Sequence, residues 1–300
     1  MGRRLIGVLP LLLLSGCYGY RSAAGHLSLL WHSRSISATI VDPRTRPGRR
    51  ETLKLVLDIR RYAEEKLSLG HSRDYASWTP VGGAVTWLVY ACPKDSLKPV
   101  SFLGFPYKGH FRREWADAEA ANWRAKGYDA TVVGAAAYNT PLPFADPLPS
   151  SVLSYPPGDL AELLIHEAAH GALGSEESAA EWVGEHGAAQ FLSERYGADS
   201  PELLEWRADA AKAETRAVLF DELAKFLEED YAAGRAAARE RRFAWAREEA
   251  AKTEVELPDE LNNAVVAAHR VYRGDPKKYD DLFEKSGRDW KAFVAALKRR

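Results

Sequence analysis

The 300-residue chain has little cysteine and almost no excess charge. Its two cysteines are Cys17 and Cys92, too few for a cysteine-based metal site. The net charge is −1 and no long basic tract occurs, so nothing marks the chain as a nucleic-acid-binding protein. A glycine-rich phosphate loop is also missing, because "VGGAV" lacks the lysine and the serine or threonine that such a loop needs.

The N-terminal apolar run is short and has the three-part plan of a secretory signal. "MGRRLIGVLPLLLLSGC" starts with two arginines, continues with an apolar stretch from Leu5 to Leu14, and ends in small residues before Cys17. That stretch is too short for a stable membrane-spanning helix. We predict a signal peptide over residues 1–16, with a transmembrane anchor as the alternative.

The last four residues of this segment, "LSGC", resemble the bacterial lipobox. The resemblance implies cleavage before Cys17 and attachment of a diacylglyceryl group there, which makes the membrane a partner. Residue 18 is Tyr and not Asp, which favours the outer membrane, facing the periplasm. Cys92 then has no intramolecular disulfide partner, and we expect it to be a small buried residue.

The fold class that the patterns predict is α+β, with a small β-sheet in the N-terminal half and an α-rich C-terminal half. Residues 17–37 form the lipidated N-terminus and a helix that docks through leucines and Trp31, and residues 38–300 form one domain. Residues 51–68 have helical spacing, as does "REWADAEAANWRAKG". Strands are predicted for "GGAVTWLVYACP", "KPVSFLGFPYKG" and "YDATVVGAAAY".

The chain after Pro157 is predicted to be helical almost throughout. Asp159 is positioned to cap one helix and Ser175 to cap the next. The long Ala-, Glu- and Arg-rich helices over residues 201–252 should pack as an antiparallel hairpin, and a last pair of helices should follow Pro258.

A metal-binding pattern lies in "LLIHEAAHGALGSEESAAEWVGEHG", residues 163–187. Positions four apart project from one helix face, so His166 and His170 can reach a single zinc ion. Glu167 can then act as a general base in metal-assisted hydrolysis. A catalytic zinc needs a third protein ligand. An antiparallel helix pair would bring Glu177 beside His170, with Glu181 one turn deeper as the alternative.

The chain resembles a family of zinc aminopeptidases among bacterial lipoproteins, in the wider gluzincin class with a zincin-like domain. The resemblance includes "GHLSLLWHSRSI", "VYACPKDSLKP", "RAKGYDATVVGAAAYNTPLPFADP", "LIHEAAH" and "LNNAVVAAHRVY". It implies that Glu177 is the third zinc ligand. The chain departs from the family at Glu176, where Asn is usual, at Ala179, where Phe is usual, and in a shorter loop before Glu177.

Other residues are candidates for substrate contacts. Aminopeptidase action needs an anion for the substrate ammonium, and Glu176 and Glu181 are candidates. Tyr138, at a strand end, is a candidate for stabilising the oxyanion. The segment "NNAVVAAHRVY" is predicted to form a helix that could cover the site. We expect structural roles for four of its residues, Asn262, Asn263, His269 and Tyr272.

The predicted function is a lipid-anchored zinc peptidase of the cell envelope that hydrolyses peptide or protein substrates. Whether it is an aminopeptidase or an endopeptidase stays open at this stage. The alternative is a zinc-binding lipoprotein scaffold or envelope assembly factor with little catalysis. Glu167 favours the hydrolase, because a scaffold has no need of a general base.

Overall fold

The computed structural model describes residues 16–136, 145–174, 176–270 and 276–299, and the architecture is mixed α+β. The helices are α1 Gly16–Trp31, α2 Ile36–Val41, α3 Pro47–Glu65, α4 Arg113–Ala125, α5 Pro157–Leu173, α6 Glu177–Tyr196, α7 Pro201–Ala232, α8 Arg239–Lys252, α9 Asn263–Arg270, α10 Lys277–Lys285 and α11 Trp290–Leu297. The strands are β1 Arg34–Ser35, β2 Ser77–Thr79, β3 Thr86–Cys92, β4 Lys108–His110, β5 Asp129–Ala135 and β6 Leu148–Pro149. Short 3₁₀ turns cover Ser150–Ser154 and Ala236–Ala238.

The strands form two small sheets. In the first, with order β4-β3-β5, all neighbours are antiparallel, and Val89 lies between Lys108 and Val132. The second sheet, β1-β2-β6, was not predicted, because its strands are only two or three residues long.

The strand predicted over "KPVSFLGFPYKG" was wrong for most of its length, since only Lys108–His110 is extended and paired. The segment contains Pro99 and Pro106, which have no N–H to donate to a ladder. Between them Leu103 and Gly104 both have positive φ and form a tight turn closed by a bridge of Phe102 to Phe105.

One core lies around α3, α5, α6, α10 and α11. Helix α3 confirms the predicted helical spacing, because it buries Leu53, Val56 and Ile59 on one side. Helices α5 and α6 are antiparallel neighbours at the centre of this core. They come so close that a Cβ on Gly187 of α6 would lie 2.9 Å from Ile165 of α5. The same Cβ would lie 2.7 Å from Leu67, which follows α3.

The second core joins α7, α8 and α9. The predicted antiparallel hairpin is confirmed: Phe226 of α7 packs edge-on against Trp245 of α8, with ring centroids 4.9 Å apart. Further along, Arg242 donates to Asp230 at 2.7 Å. After Pro258 the described chain contains three helices, α9, α10 and α11, and not the predicted pair.

The helix starts around the motif also differ from the prediction. Helix α5 begins at Pro157, so Asp159 lies in its first turn and is not its cap. Proline suits that first position, because its φ is already helical and its missing N–H would have no helical partner. The predicted cap at Ser175 lies outside the described residues, and Glu176 precedes α6 without a side-chain cap.

Helix α1 docks on the protein through only some of the residues expected, because Leu29 and Leu30 are half-buried. Leu27 and Trp31 are exposed, whereas the hydroxyl of Tyr18 donates to the carbonyl of Gly109 at 2.9 Å. None of the helices in the described segments combines the length and the apolar character that crossing a bilayer requires.

Candidate metal centre

Helix α5 places the two histidines of the motif side by side. His166 and His170 are one turn apart, and their Nε2 atoms lie 3.1 Å from each other. Both rings are partly buried, with 21 % and 15 % of their side-chain surface exposed. A cation could therefore reach both Nε2 atoms from one open side.

The first residue of α6 adds a carboxylate to this pair. Oε2 of Glu177 lies 3.6 Å from Nε2 of His166 and 3.4 Å from Nε2 of His170. Ligand atoms of a tetrahedral zinc site are about 3.4 Å apart, from bond lengths of about 2.1 Å. The three separations match that spacing, so the donor set fits a zinc ion.

Among the described residues this is the one group of His, Cys, Asp or Glu side chains close enough to share a metal. Glu181, the alternative third ligand, does not belong to it.

The carbonyl of Gly174 orients His170. It lies 2.9 Å from Nδ1 of His170, so Nδ1–H donates to it and Nε2 keeps its lone pair. A ligating histidine commonly has such a partner on its other nitrogen. Gly174 ends α5 with φ 78° and ψ −152°, a backbone region open almost only to glycine.

Gly174→Ala should therefore weaken zinc binding and destabilise the protein by about 1–3 kcal/mol. The matched control is Gly171→Ala, because a Cβ at Gly171 meets nothing within 4 Å. That change should stabilise helix α5 by about 0.5–1 kcal/mol. Denaturant unfolding and zinc competition titration measure both effects. Equal behaviour of the two variants would contradict the role of Gly174.

The electrostatics of the cluster suit a cation. Hydrogen bonds to His166 and His170 lower the pKa of Glu177 to about 2, so this carboxylate is ionised. Burial lowers the pKa of His170, but Glu177 and the Gly174 carbonyl outweigh it and the net shift is upward. A negative group thus lies beside two imidazoles, as a divalent metal requires.

Glu167 is buried beside the cluster. Burial raises the pKa of Glu167, while the charges of His166 and His170 act in the opposite direction. A carboxylate whose pKa is shifted upward towards neutral pH is a better general base than an exposed one.

Tyr75 lies beside Glu167, where its hydroxyl acts to lower the pKa of that carboxyl, and it was not found from the sequence. Its backbone has φ 57°, and its N–H donates to the carbonyl of Asp146 at 2.7 Å. Asp146 N–H in turn donates to Asp74 at 2.9 Å. A cavity of about 30 Å³ adjoins Tyr75 and Glu167, room for about one water. Tyr75 is thus fixed from behind while it contacts the base.

Tyr75→Phe should lower kcat by about 10- to 100-fold without changing KM, because it removes the polar hydroxyl beside the charged form of Glu167. Zinc content should stay at the parent level. Tyr155→Phe makes the same change at an exposed tyrosine and should be neutral. A raised KM with unchanged kcat would show that Tyr75 acts on substrate binding and not through Glu167.

Gly184 allows α6 to approach the metal-binding face of α5. A Cβ there would lie 3.0 Å from Cβ of His166 and 3.1 Å from the carbonyl oxygen of Glu162. Glu162 lies one turn before His166 on α5, and its side chain accepts a hydrogen bond from the indole of Trp206 at 2.8 Å. The position of His166 thus depends on the lack of a side chain at Gly184 of the neighbouring helix.

The comparison with family models gives a match over residues 17–300, to the family described as "Putative aminopeptidase". The chain belongs to this family. Neither the curated proteins nor the solved structures contain a match to the chain. The family match supports peptidase activity.

Glu176, one of the candidates for binding the substrate ammonium, is tied to the C-terminal helices. Oε1 of Glu176 accepts from the hydroxyl of Tyr279 at 2.7 Å and lies 3.4 Å from Nζ of Lys278. The Tyr279 hydroxyl is also 2.8 Å from Ser178. Glu176 therefore joins α10 to the start of α6, right next to Glu177.

The other predicted residues lie elsewhere or outside the described segments. Tyr138 and Tyr272 fall outside the described residues. His269 stacks on Phe220 of the second core, with centroids 3.9 Å apart. Asn262 caps α9 through its Oδ1, and Asn263 donates to the carbonyls of two residues in the loop after β3, Pro93 and Ser96. These last three residues have the structural roles that were expected.

Proposed function

We propose that this protein is a lipid-anchored, zinc-dependent peptidase with a zincin-like fold that removes N-terminal residues from peptides. The observation that carries the proposal is one cluster, in which His166, His170 and Glu177 have zinc-like spacing beside the buried carboxylate of Glu167. Two histidines and a glutamate are a frequent ligand set of catalytic zinc, with one position left for water or substrate.

In this proposal the three ligands hold the zinc and Glu167 moves the proton. Bound zinc would supply Lewis-acid polarisation of the scissile carbonyl and a lower pKa for water. Glu167 takes a proton from the attacking water and passes it to the leaving amine. Its carboxylate is buried beside Tyr75, and burial raises its pKa.

The aminopeptidase part of the proposal rests on the family. An aminopeptidase must hold a substrate ammonium, and an acidic side chain near the metal does this best. Glu176 accepts from Tyr279 and lies next to Lys278, and Glu181 is the other candidate. Glu181 is one turn after Glu177 on α6 and half-buried.

The location in the cell is proposed from the N-terminal sequence. A signal over residues 1–16 and acylation of Cys17 would attach the protein to the envelope, and Tyr18 favours the outer membrane on its periplasmic side.

Peptide hydrolysis by the purified chain tests the proposal. The protein is stripped with a chelator, reloaded with zinc, and given peptides with a free or an acetylated N-terminus. Zinc-dependent release of N-terminal residues from the free peptides alone is the expected result. Internal cleavage of both peptides would make the protein an endopeptidase. A folded, zinc-loaded chain that cleaves neither would favour the scaffold.

A further inference from the structure

Helix α1 has apolar side chains on a face that the protein does not cover. Tyr20, Leu27 and Trp31 are 76 %, 60 % and 87 % exposed. They are seven and four residues apart, so at 100° per residue they lie within about 20° of one line along the helix. Single exposed apolar residues are ordinary, but an aligned stripe indicates a binding surface.

The opposite face of α1 is the one that packs on the protein. Tyr18 donates to Gly109, His26 is buried, and a Cβ on Gly25 would lie 2.4 Å from the ring of Phe111. The helix is thus held firmly with its stripe pointing away from the body. Its orientation does not depend on a partner.

A second apolar feature lies beside the first turn of α1. In the turn closed by Phe102 and Phe105, Leu103 is 82 % exposed and Phe105 is 55 % exposed. The ring of Phe102 packs edge-on against Tyr18 with centroids 5.0 Å apart. The turn therefore stays next to residue 18, one residue after Cys17.

The backbone of this turn makes the exposed leucine notable. Leu103 has φ 51° and Gly104 has φ 89°, the combination of a type I′ turn. Such turns favour asparagine, aspartate or glycine at the first of these positions, where leucine is strained. A strained residue that displays an apolar side chain to solvent points to a function for that side chain.

Positively charged side chains near these two apolar features favour binding to an anionic surface. Arg21 of α1 and Arg112 both lie over the ring of Trp115, at 4.6 Å and 5.1 Å from its centroid. Both arginines are exposed. Cationic groups beside exposed aromatic and aliphatic side chains are typical of segments that lie in the interface of an anionic bilayer.

We propose that α1 and the Phe102–Phe105 turn form a membrane-contact surface, with the Tyr20, Leu27 and Trp31 stripe and the Leu103 tip immersed in the lipid interface. The occupant is a bilayer and not a second protein, because the surface starts one residue after the cysteine assigned to acylation. An acyl chain at that position would bring both features to the membrane. The proposal does not depend on peptidase activity, but it rests on the proposed acylation of Cys17.

Depth measurements on the full chain in vesicles test this surface. Leu27→Cys and Leu103→Cys carry an NBD fluorophore, and Leu204→Cys, an exposed leucine on α7, is the matched control. Native Cys92 is fully buried and burial raises the pKa of its thiol to about 12, so it resists labelling. The parent chain, labelled in parallel, corrects for any reaction at Cys17.

The vesicles contain phosphatidylethanolamine and phosphatidylglycerol, with or without doxyl-labelled lipid. We expect NBD at positions 27 and 103 to shift its emission to the blue and to be quenched by the doxyl lipid. NBD at position 204 should keep its aqueous emission. Aqueous emission at position 27 or 103 in vesicle-bound protein would overturn the proposal. So would equal quenching at position 204, or failure of the chain to float with the vesicles.

Discussion

Glu167→Gln should lower peptide hydrolysis by roughly 10²–10⁴-fold, the range for loss of a general acid–base group. Glutamine keeps the shape of the side chain, but it cannot take a proton. Since Glu167 is not one of the clustered ligands, zinc content and the unfolding midpoint should stay close to those of the parent chain. Steady-state kinetics and metal analysis of the same preparation give the result.

The control for this change is Glu176→Gln. Glu176 is also next to the metal cluster in sequence, but its carboxylate faces Tyr279 and Lys278. Its replacement should affect stability more than the proton-transfer step. Full activity in Glu167→Gln, with zinc bound, would remove the general-base role and support a scaffold function.

Glu177→Ala should lower zinc affinity by more than about 100-fold. Loss of a residue that only hydrogen-bonds to a ligand costs roughly 10- to 100-fold in affinity, and this change removes a ligand itself. His166 and His170 would remain, yet two imidazoles alone leave a catalytic zinc one protein ligand short. Activity should fall with the bound zinc. Competition against a fluorescent zinc chelator measures the affinity directly.

Glu181→Ala is the matched test of the alternative ligand. The metal cluster does not include Glu181, so zinc affinity should be unchanged in this variant. KM should rise for peptides with a free N-terminus if Glu181 holds the substrate ammonium. Zinc loss in Glu181→Ala but not in Glu177→Ala would reverse the assignment of the two glutamates.

The parts of the fold that follow from periodicity could be predicted. Helix α3 has helical apolar spacing, the α7–α8 hairpin is rich in alanine, glutamate and arginine, and β3 and β5 are β-branched runs bounded by turns. The small second sheet could not be found, because a strand of two or three residues has no period. The turn at Leu103 was also missed, since "FLGF" contains apolar residues where a turn usually has polar ones.

The residues of the metal cluster could be predicted from the sequence because they lie close together along the chain. His166 and His170 share one helix face, and Glu177 follows within a helical hairpin. Tyr75 and Tyr279 lie about a hundred residues from the motif on either side, and no local pattern connects them with it. They reach the site only through tertiary packing, which a single sequence does not reveal. The same limit explains why Glu176 appeared available for substrate although Tyr279 binds it.

The bond between α10 and the start of α6 has a consequence for biosynthesis. Tyr279 contacts Ser178 and Glu176, and Asp280 accepts from the indole of Trp182 at 2.9 Å. The segment that carries Glu177 therefore lacks these supports until about a hundred more residues have been translated or exported. A nascent chain would hold the histidines early and the complete site only late. If the protein is a secreted peptidase, as proposed above, we expect the complete site to form only when its last helices have folded.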